Sequence, residues 1–298
     1  MNKKQLKYVE NLRKDSIPWV EVAKQFNKTF KTSYSHDTLR HRLAKQSNMP
    51  GKSKYRSHLV IPDGQIKKGV PTKHWEALAK LVLETQPEVI VNIGDFWDMP
   101  SLSGYEGKGT KSAEGRRIQN DIDAGNRVMD AFMNTISSTS YSPELHFTLG
   151  NHEQRIERAV KEEPKFEGLL GYNLLHLDGW NVHDFLKPVT IDGVAYAHYF
   201  YNQMSGRPIG GTIDAMLKKI GHSFTQGHRQ EFQVGRRDLN NGTCQYGVVA
   251  GAFYMHEENY KGPQANDHWR GVLLKHDVKD GAYDINVISL DRLLRKYT

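Results

Sequence analysis

The sequence predicts an α/β domain preceded by a small all-helical module. Three observations carry that expectation. From residue 58 onward, short apolar runs of strand length alternate with segments of helical period. Side chains of metal-ligating type recur just after those runs. The first 56 residues hold 14 Lys and Arg against 4 Asp and Glu, whereas the other 242 hold 27 against 30. The whole basic excess therefore lies in the first fifth of the chain, the mark of a nucleic-acid-binding appendage on a near-neutral domain.

Residues 1–46 read as three short helices. The first covers about 3–14, with Leu6, Val9 and Leu12 at helical spacing. The second starts near Pro18, a good first-turn residue, and carries Trp19, Val22, Ala23 and Phe26 on one face. The third follows Ser35 as N-cap, with Leu39 and Leu43 inward and Thr38, Arg40, His41, Arg42 and Lys45 on its other faces. Three helices with a basic last one resemble the helix-turn-helix and Myb-like DNA-binding families. The resemblance implies double-stranded DNA as partner, read by those five residues in the major groove. A small helical packing module is the plainer alternative. Residues 47–57 are polar and basic, with Pro and Gly and no hydrophobic period, and read as a linker.

The 58–298 segment follows a β-α-β rhythm. LVIP opens it, then a helix over 72–85, the strand EVIVNIG (88–94), a helix over about 115–136, the strand ELHFTLG (144–150) and a helix opened by NHEQRIERAV. VTIDGVAYAHYF, HSFTQGH, QYGVVAGAF, GVLLKH and YDINVISL look like the second sheet of a layered sandwich, and GRRDLNNG (235–242) like a hairpin turn. No apolar run approaches the roughly 18–20 residues of a membrane span, so no membrane partner is expected. MNKKQLKYVENLRK lacks the apolar core of a signal peptide. Cys244 is the single cysteine, so disulfides cannot hold this fold and thiolate zinc sites are excluded. A cytoplasmic protein is the simplest expectation, and a phage-infected bacterium would suit it.

Candidate ligands follow the strand runs in order: Asp63 in DGQ, Asp95 and Asp98 in GDFWD, Asn151 and His152 in GNHE, His198 after GVAYA, and His228 in GHRQ. Loops at the C-terminal edge of a sheet are free to converge there. Gly94, Gly150 and Gly227 each precede a polar residue and let side chains come close. Singly, each signal is a turn residue or a structural histidine. Their order is what carries meaning.

That order resembles the calcineurin-like metallophosphoesterase superfamily over about residues 57–290, with GDFWD and GNHE as its most specific parts. The resemblance implies a four-layer β-sandwich flanked by helices and two divalent cations. It makes Asp95 the bridging ligand. Asp63, Gln65 and Gln230 would complete the first metal site; Asn151, His198 and His228 would complete the second. His152 would protonate the leaving oxygen, and Asp98, matching a form found in DNA repair nucleases of the superfamily, would support it. Two divalent cations can clamp a phosphate and activate water, and this donor mixture suits Mn2+ first, with Mg2+, Fe2+, Zn2+ or Ca2+ as alternatives. Gln65 and Gln230 both stand where the superfamily has His, and both map to the first site. Either that site holds a harder, more weakly bound ion, or it is empty.

The function implied is a metal-dependent phosphodiesterase acting on DNA, an endonuclease that nicks one strand at a specific site. A phosphomonoesterase acting on protein or nucleotides is one alternative. A non-catalytic DNA-binding protein with a degenerate metal site is another. The Gly- and Lys-rich stretch 99–117, with Lys108, Lys111, Arg116 and Arg117, can meet a phosphate backbone or be a solvated loop. The mixed aromatic and charged stretch 253–271 can be a lid or a surface loop. His222, His256 and His268 carry no assigned role. Oligomeric state is not legible.

Overall fold

A computed structural model describes Gln5, residues 7–9, Leu12, residues 19–35, Leu39, and residues 55–104, 114–257 and 268–298. The chain divides into two compact units, Met1–Lys54 and Tyr55–Thr298.

In the first unit, helix α1 spans Trp19–Phe30. Val22, Ala23 and Phe26 recur at helical spacing and are buried with Val9 and Leu39, while Tyr8, Leu12, Phe30 and Tyr34 pack around them. Asn27 ends the helix neatly: its side chain donates to the Tyr34 carbonyl (2.8 Å) and accepts the Tyr34 amide (2.9 Å). Thr38, Arg40, His41, Arg42 and Lys45 lie outside the described residues. So do Lys108 and Lys111.

The second unit is α/β, in four layers. Strands β1 (Arg56–Ile61), β2 (Val89–Asn92), β3 (Glu144–Thr148) and β4 (Asn181–His183) run parallel, joined by α2 (Lys73–Thr85), α3 (Ile118–Ser137) and α4 (Gln154–Glu162). The second sheet holds β5 (Val189–Ile191), β6 (Val194–Ala197), β7 (Phe224–Gln226), β8 (Phe232–Asp238) and β9 (Cys244–Ala250), with α5 (Ile213–Ile220) on its outer face. Strands β10 (Gly271–Lys279) and β11 (Ala282–Ser289) precede a last helix, α6 (Leu290–Tyr297).

Strand alternation sorts the core into three layers. Leu59, Ile61, Ile90 and Phe147 face outward onto α2, α3 and α6 with Trp75, Leu78 and Phe132. Val60, Val89, Val91 and Ile93 face inward against Val194, Tyr196, Val248 and Ala250 of the other sheet. Ala195, Phe224 and Val249 face α5.

Three expectations change. GVLLKH and YDINVISL do not join the second sheet: β10 pairs antiparallel with β1 (Leu59 opposite Leu274), so the first sheet runs β11-β10-β1-β2-β3-β4. Pairing between strands more than 200 residues apart is a tertiary choice that local pattern cannot show. VTIDGVAYAH is not one strand but the hairpin β5–β6, broken at Asp192 (φ 48°) and Gly193 (φ 84°). The GRRD of the expected turn belongs to β8, and residues 239–243 make the turn. Among the described residues, no helix is long and apolar enough to cross a membrane.

Candidate active site

The parallel strands of both sheets end at one edge, and the loops leaving them converge. Asp63 follows β1, Asp95 follows β2, Asn151 and His152 follow β3, His198 follows β6, and His228 follows β7. Four residues of this cluster hold left-handed backbone without being glycine: Gln65 (φ 41°), Asp95 (51°), His228 (66°) and Gln230 (59°). Such conformations cost of order 1–3 kcal/mol each and persist only where surrounding bonds impose them. Those bonds are visible: Gln65 N donates to Asp95 O (2.8 Å), and His228 N donates to Asp63 Oδ1 (3.1 Å).

The glycines work mostly by being small. A Cβ on Gly150 would stand 2.2 Å from Asp95 Oδ1, and one on Gly227 would stand 2.3 Å from Asp63 Oδ1. Gly94 has both constraints, a φ of 88° and a would-be Cβ 2.5 Å from the Thr148 carbonyl. Their absent side chains allow the carboxylates to press against neighbouring loops.

One ligand-like cluster is tight. Atoms of Asp95, His198 and His228 lie within 4.8 Å of one another. His198 Nε2 is 3.2 Å from Asp95 Oδ2 and 2.9 Å from Asn151 Oδ1. His228 Nδ1 is 2.8 Å from the same Asn151 oxygen. His198 Nδ1 donates to the Ile93 carbonyl at 2.9 Å, which aims Nε2 inward.

Asp63 and Gln65 are also buried here, at 0% and 1% exposure. Asp63 Oδ2 and Gln65 Oε1 are buried acceptors with no hydrogen-bond partner. Leaving such an atom unsatisfied costs about 1–3 kcal/mol, so two in one loop point to a missing donor or a cation. Carboxylate, amide oxygen and imidazole are a donor set that fits a divalent cation. Gln230 differs from Gln65. Its Oε1 accepts the Tyr254 hydroxyl at 2.9 Å, and that hydroxyl meets His268 Nε2 at 2.7 Å.

Electrostatics report the same crowding. Burial, with Asp95 nearby, pushes Asp63 up to about 6. Burial opposes ionisation of Asp95 as well, but His152 and His198 hold it well below the usual carboxylate range. Burial works against a charged His198, yet the carboxylates of Asp95 and Asp63 raise it to about 9. Burial and the neighbouring His198 push His228 down to about 4. A cation would meet the negative field that draws the proton onto His198.

His152 stands beside the cluster. Its Nδ1 lies 2.9 Å from Asp98 Oδ1, and its Nε2 lies 3.6 Å from Asp95 Oδ2. Burial disfavours its charged form, but Asp95 and Asp98 more than offset that and raise it. Asp98 is buried too, yet His152 and Lys67 (Nζ 2.8 Å away) hold it ionised far into acid.

Sequence reasoning missed four contributors. Glu153 is fully buried, and its carboxylate accepts three amides: Asp95 (2.9 Å), Gly150 (2.8 Å) and Trp97 (3.0 Å). It ties the GDFWD and GNHE loops together, and burial with Asp95 nearby pushes it up to about 7. Its signal was its place in GNHE. Lys67, Arg155 and Tyr254 had no signal, because each reaches the site by a long side chain from a loop or helix turn.

No protein-family model and no curated sequence matches the chain. Solved structures similar to it include Yfce, a phosphoesterase from E. coli (10% identity, 78% of this chain and 99% of that one, TM-score 0.33). Chaetomium thermophilum Vps29 is similar at 10% identity over 78% of this chain and 97% of that one, TM-score 0.36. Pseudomonas putida nuclease MPE is similar at 14% identity over 77% of this chain and 87% of that one, TM-score 0.29. Identities and scores this low transfer neither substrate nor ligand set.

Proposed function

We propose that this chain is a metal-dependent phosphodiesterase that nicks one strand of DNA. The observation that carries the hydrolase reading is the convergence of Asp63, Gln65, Asp95, Asn151, His198 and His228 on one sheet edge, with a buttressed His152 beside them. Those six residues would hold divalent cations, Mn2+ first, which when bound lend Lewis-acid stabilisation to the phosphoryl oxygens. Gln230, engaged by Tyr254, would be the weakest contributor. His152 would give its proton to the leaving oxygen from Nε2, the nitrogen to which Arg155 Nη2 donates in this structure, so that contact must give way when the ring is charged. Asp98 fixes the ring through Nδ1 and favours its charged form, while Lys67 keeps Asp98 ionised. Glu153 keeps the two loops in register.

The DNA reading draws its support from the basic first 56 residues. With one active site per chain, a single copy cuts one strand. The test is a supercoiled plasmid incubated with the full chain and Mn2+. Conversion to open circles by wild type, reduced by about 10²–10⁴-fold in His152→Ala, is expected from loss of a general acid. Hydrolysis of a small phosphodiester with the plasmid left intact would sink the nuclease form. Faster turnover of a phosphomonoester than of a diester would favour a phosphatase instead.

A further inference from the structure

Beside His152 lies a cavity of about 570 Å³ that the ligand cluster does not use. Its walls come from the turn after β2, the start of α3, one face of α4 and the turn that follows α4. Three arginines line it, and each is bonded to a main-chain carbonyl of the turn after β2. Arg155 Nη1 donates to the carbonyls of Asp98 (2.8 Å) and Met99 (3.2 Å). Arg116 Nη1 donates to the Pro100 carbonyl at 3.0 Å, and Arg158 Nη2 to the Leu102 carbonyl at 3.4 Å. A carbonyl orients a guanidinium without cancelling its charge.

The innermost of the three touches the site. Arg155 Nη2 is 3.0 Å from His152 Nε2, so His152 stands between Asp95 on one side and this cavity wall on the other. Two acids share the cavity with them, at the C-terminal end of α4. Glu162 is 3.9 Å from Arg158 in an exposed pair, and Glu163 also lines the cavity. Asp98 Oδ1 is 3.9 Å from Arg155 but is already shared with His152, and Lys67 takes its other oxygen. Positive charge therefore prevails at the His152 end. The rest of the wall mixes Ser101 and Ser103 with the apolar Leu102, Ile118 and Phe166, each only partly buried.

We propose that this cavity is the subsite for the nucleoside on the leaving-group side of the scissile phosphodiester. The inference rests on the phosphodiesterase reading above. If His152 gives its proton to the leaving oxygen, the departing sugar lies on the His152 side, and Arg155 links that side to this cavity. Its size suits one nucleotide unit. Guanidinium N–H groups not spent on the carbonyl bonds can meet the next phosphate, and Phe166 offers a face on which any base can stack. Arg155 and Arg158 hold the phosphate; Phe166 and Ile118 hold the base.

Calorimetry on the full chain in EDTA, with deoxyadenosine 5′-monophosphate and with inorganic phosphate, tests this without any metal chemistry. The nucleotide binds about tenfold tighter than phosphate if base and phosphate are both held. Arg158→Ala and Phe166→Ala, both at the cavity's open side, each weaken nucleotide binding about fivefold or more. Equal affinity for nucleotide and phosphate, or variants that bind like wild type, overturns the subsite. A kinetic arm compares kcat/KM for a short DNA duplex with that for bis(p-nitrophenyl) phosphate, whose leaving group has no nucleoside. The same two substitutions lower the first by about tenfold more than the second. Nucleotide binding that the variants lose, on a protein that never cuts DNA, keeps the subsite and removes the nuclease reading. DNA cutting by variants with wild-type KM keeps the nuclease reading and removes the subsite.

Discussion

Single side chains in this protein are decided by what burial lets them do. His74 is 1% exposed, with Nε2 3.1 Å from the Phe253 carbonyl, and burial pushes its imidazole down to about 4. An imidazole in the unfolded chain titrates near 6.5. The unfolded chain therefore binds the proton more readily, so the stability tied to a neutral His74 is full above that value and is lost as pH falls toward 4. Between pH 7.5 and 5 this residue alone accounts for about 2 kcal/mol. Urea unfolding of wild type should lose that much more stability over the interval than His74→Gln, whose amide can still donate to Phe253. Equal losses would show that His74 is not the titrating group. Gln65 is decided by the same logic with a different outcome. Its carbonyl oxygen is buried without a donor, at a φ of 41° that His tolerates better than most residues. Gln65→His should tighten Zn2+ binding by about tenfold and Mg2+ far less, because imidazole prefers the softer ions. Titration calorimetry reads the difference directly.

At the scale of elements, the site is a set of strand ends whose loops are locked to one another. Glu153 and the three glycines do the locking. Gly150 has an ordinary backbone conformation, so alanine would meet no strain there except from space. The space is missing: its Cβ would lie 2.4 Å from the Asp95 amide nitrogen as well as against the carboxylate. Gly150→Ala should cost about 1–3 kcal/mol and displace Asp95, so activity falls further than stability does. Thermal melting and hydrolysis of a small phosphodiester, measured together, give the two numbers. An active, fully stable Gly150→Ala would mean that the loops slide more freely than their packing implies. Gly125 sets a similar limit away from the site, since its Cβ would fall 2.1 Å from the Trp97 ring, where α3 lies against the GDFWD loop. Helix and loop are packed as one body there.

For the whole molecule, the unequal charge of the two units is the leading fact. Each unit has its own apolar core, one around Phe26 and Val22 and the other around the two sheets. Removing residues 1–54 deletes most of the basic excess and leaves every residue of the ligand cluster in place. The shortened chain should hydrolyse bis(p-nitrophenyl) phosphate within about twofold of the full chain, while its affinity for duplex DNA falls by about tenfold or more and loses salt dependence. Undiminished DNA binding by the shortened chain would move the DNA contact to the second unit.

Much of this was legible before any fold was seen. The apolar runs, the glycines before Asp95, Asn151 and His228, and the order of the motifs are local, and local patterning is what a sequence records directly. Side chains that reach across space are not recorded that way. Lys67 and Arg155 look like surface charges in the sequence, yet they end on Asp98 and His152. Tyr254 and His268 sit in a stretch that reads as loop, yet the Tyr254 hydroxyl takes the oxygen of Gln230. The equivalence of Gln65 and Gln230, natural in the sequence, dissolves for the same reason: one amide oxygen is buried unpaired and the other is engaged. By itself the sequence determined the α/β class, the helical head's apolar face and which side chains gather at the sheet edge, because each depends on residue type and spacing along the chain. Only the tertiary structure decided that β10 and β11 complete the first sheet, that Glu153 joins two loops, and that Arg155 stands against His152. Those are contacts between segments far apart in sequence, and packing and hydrogen bonding in three dimensions select them from many partners that spacing alone allows.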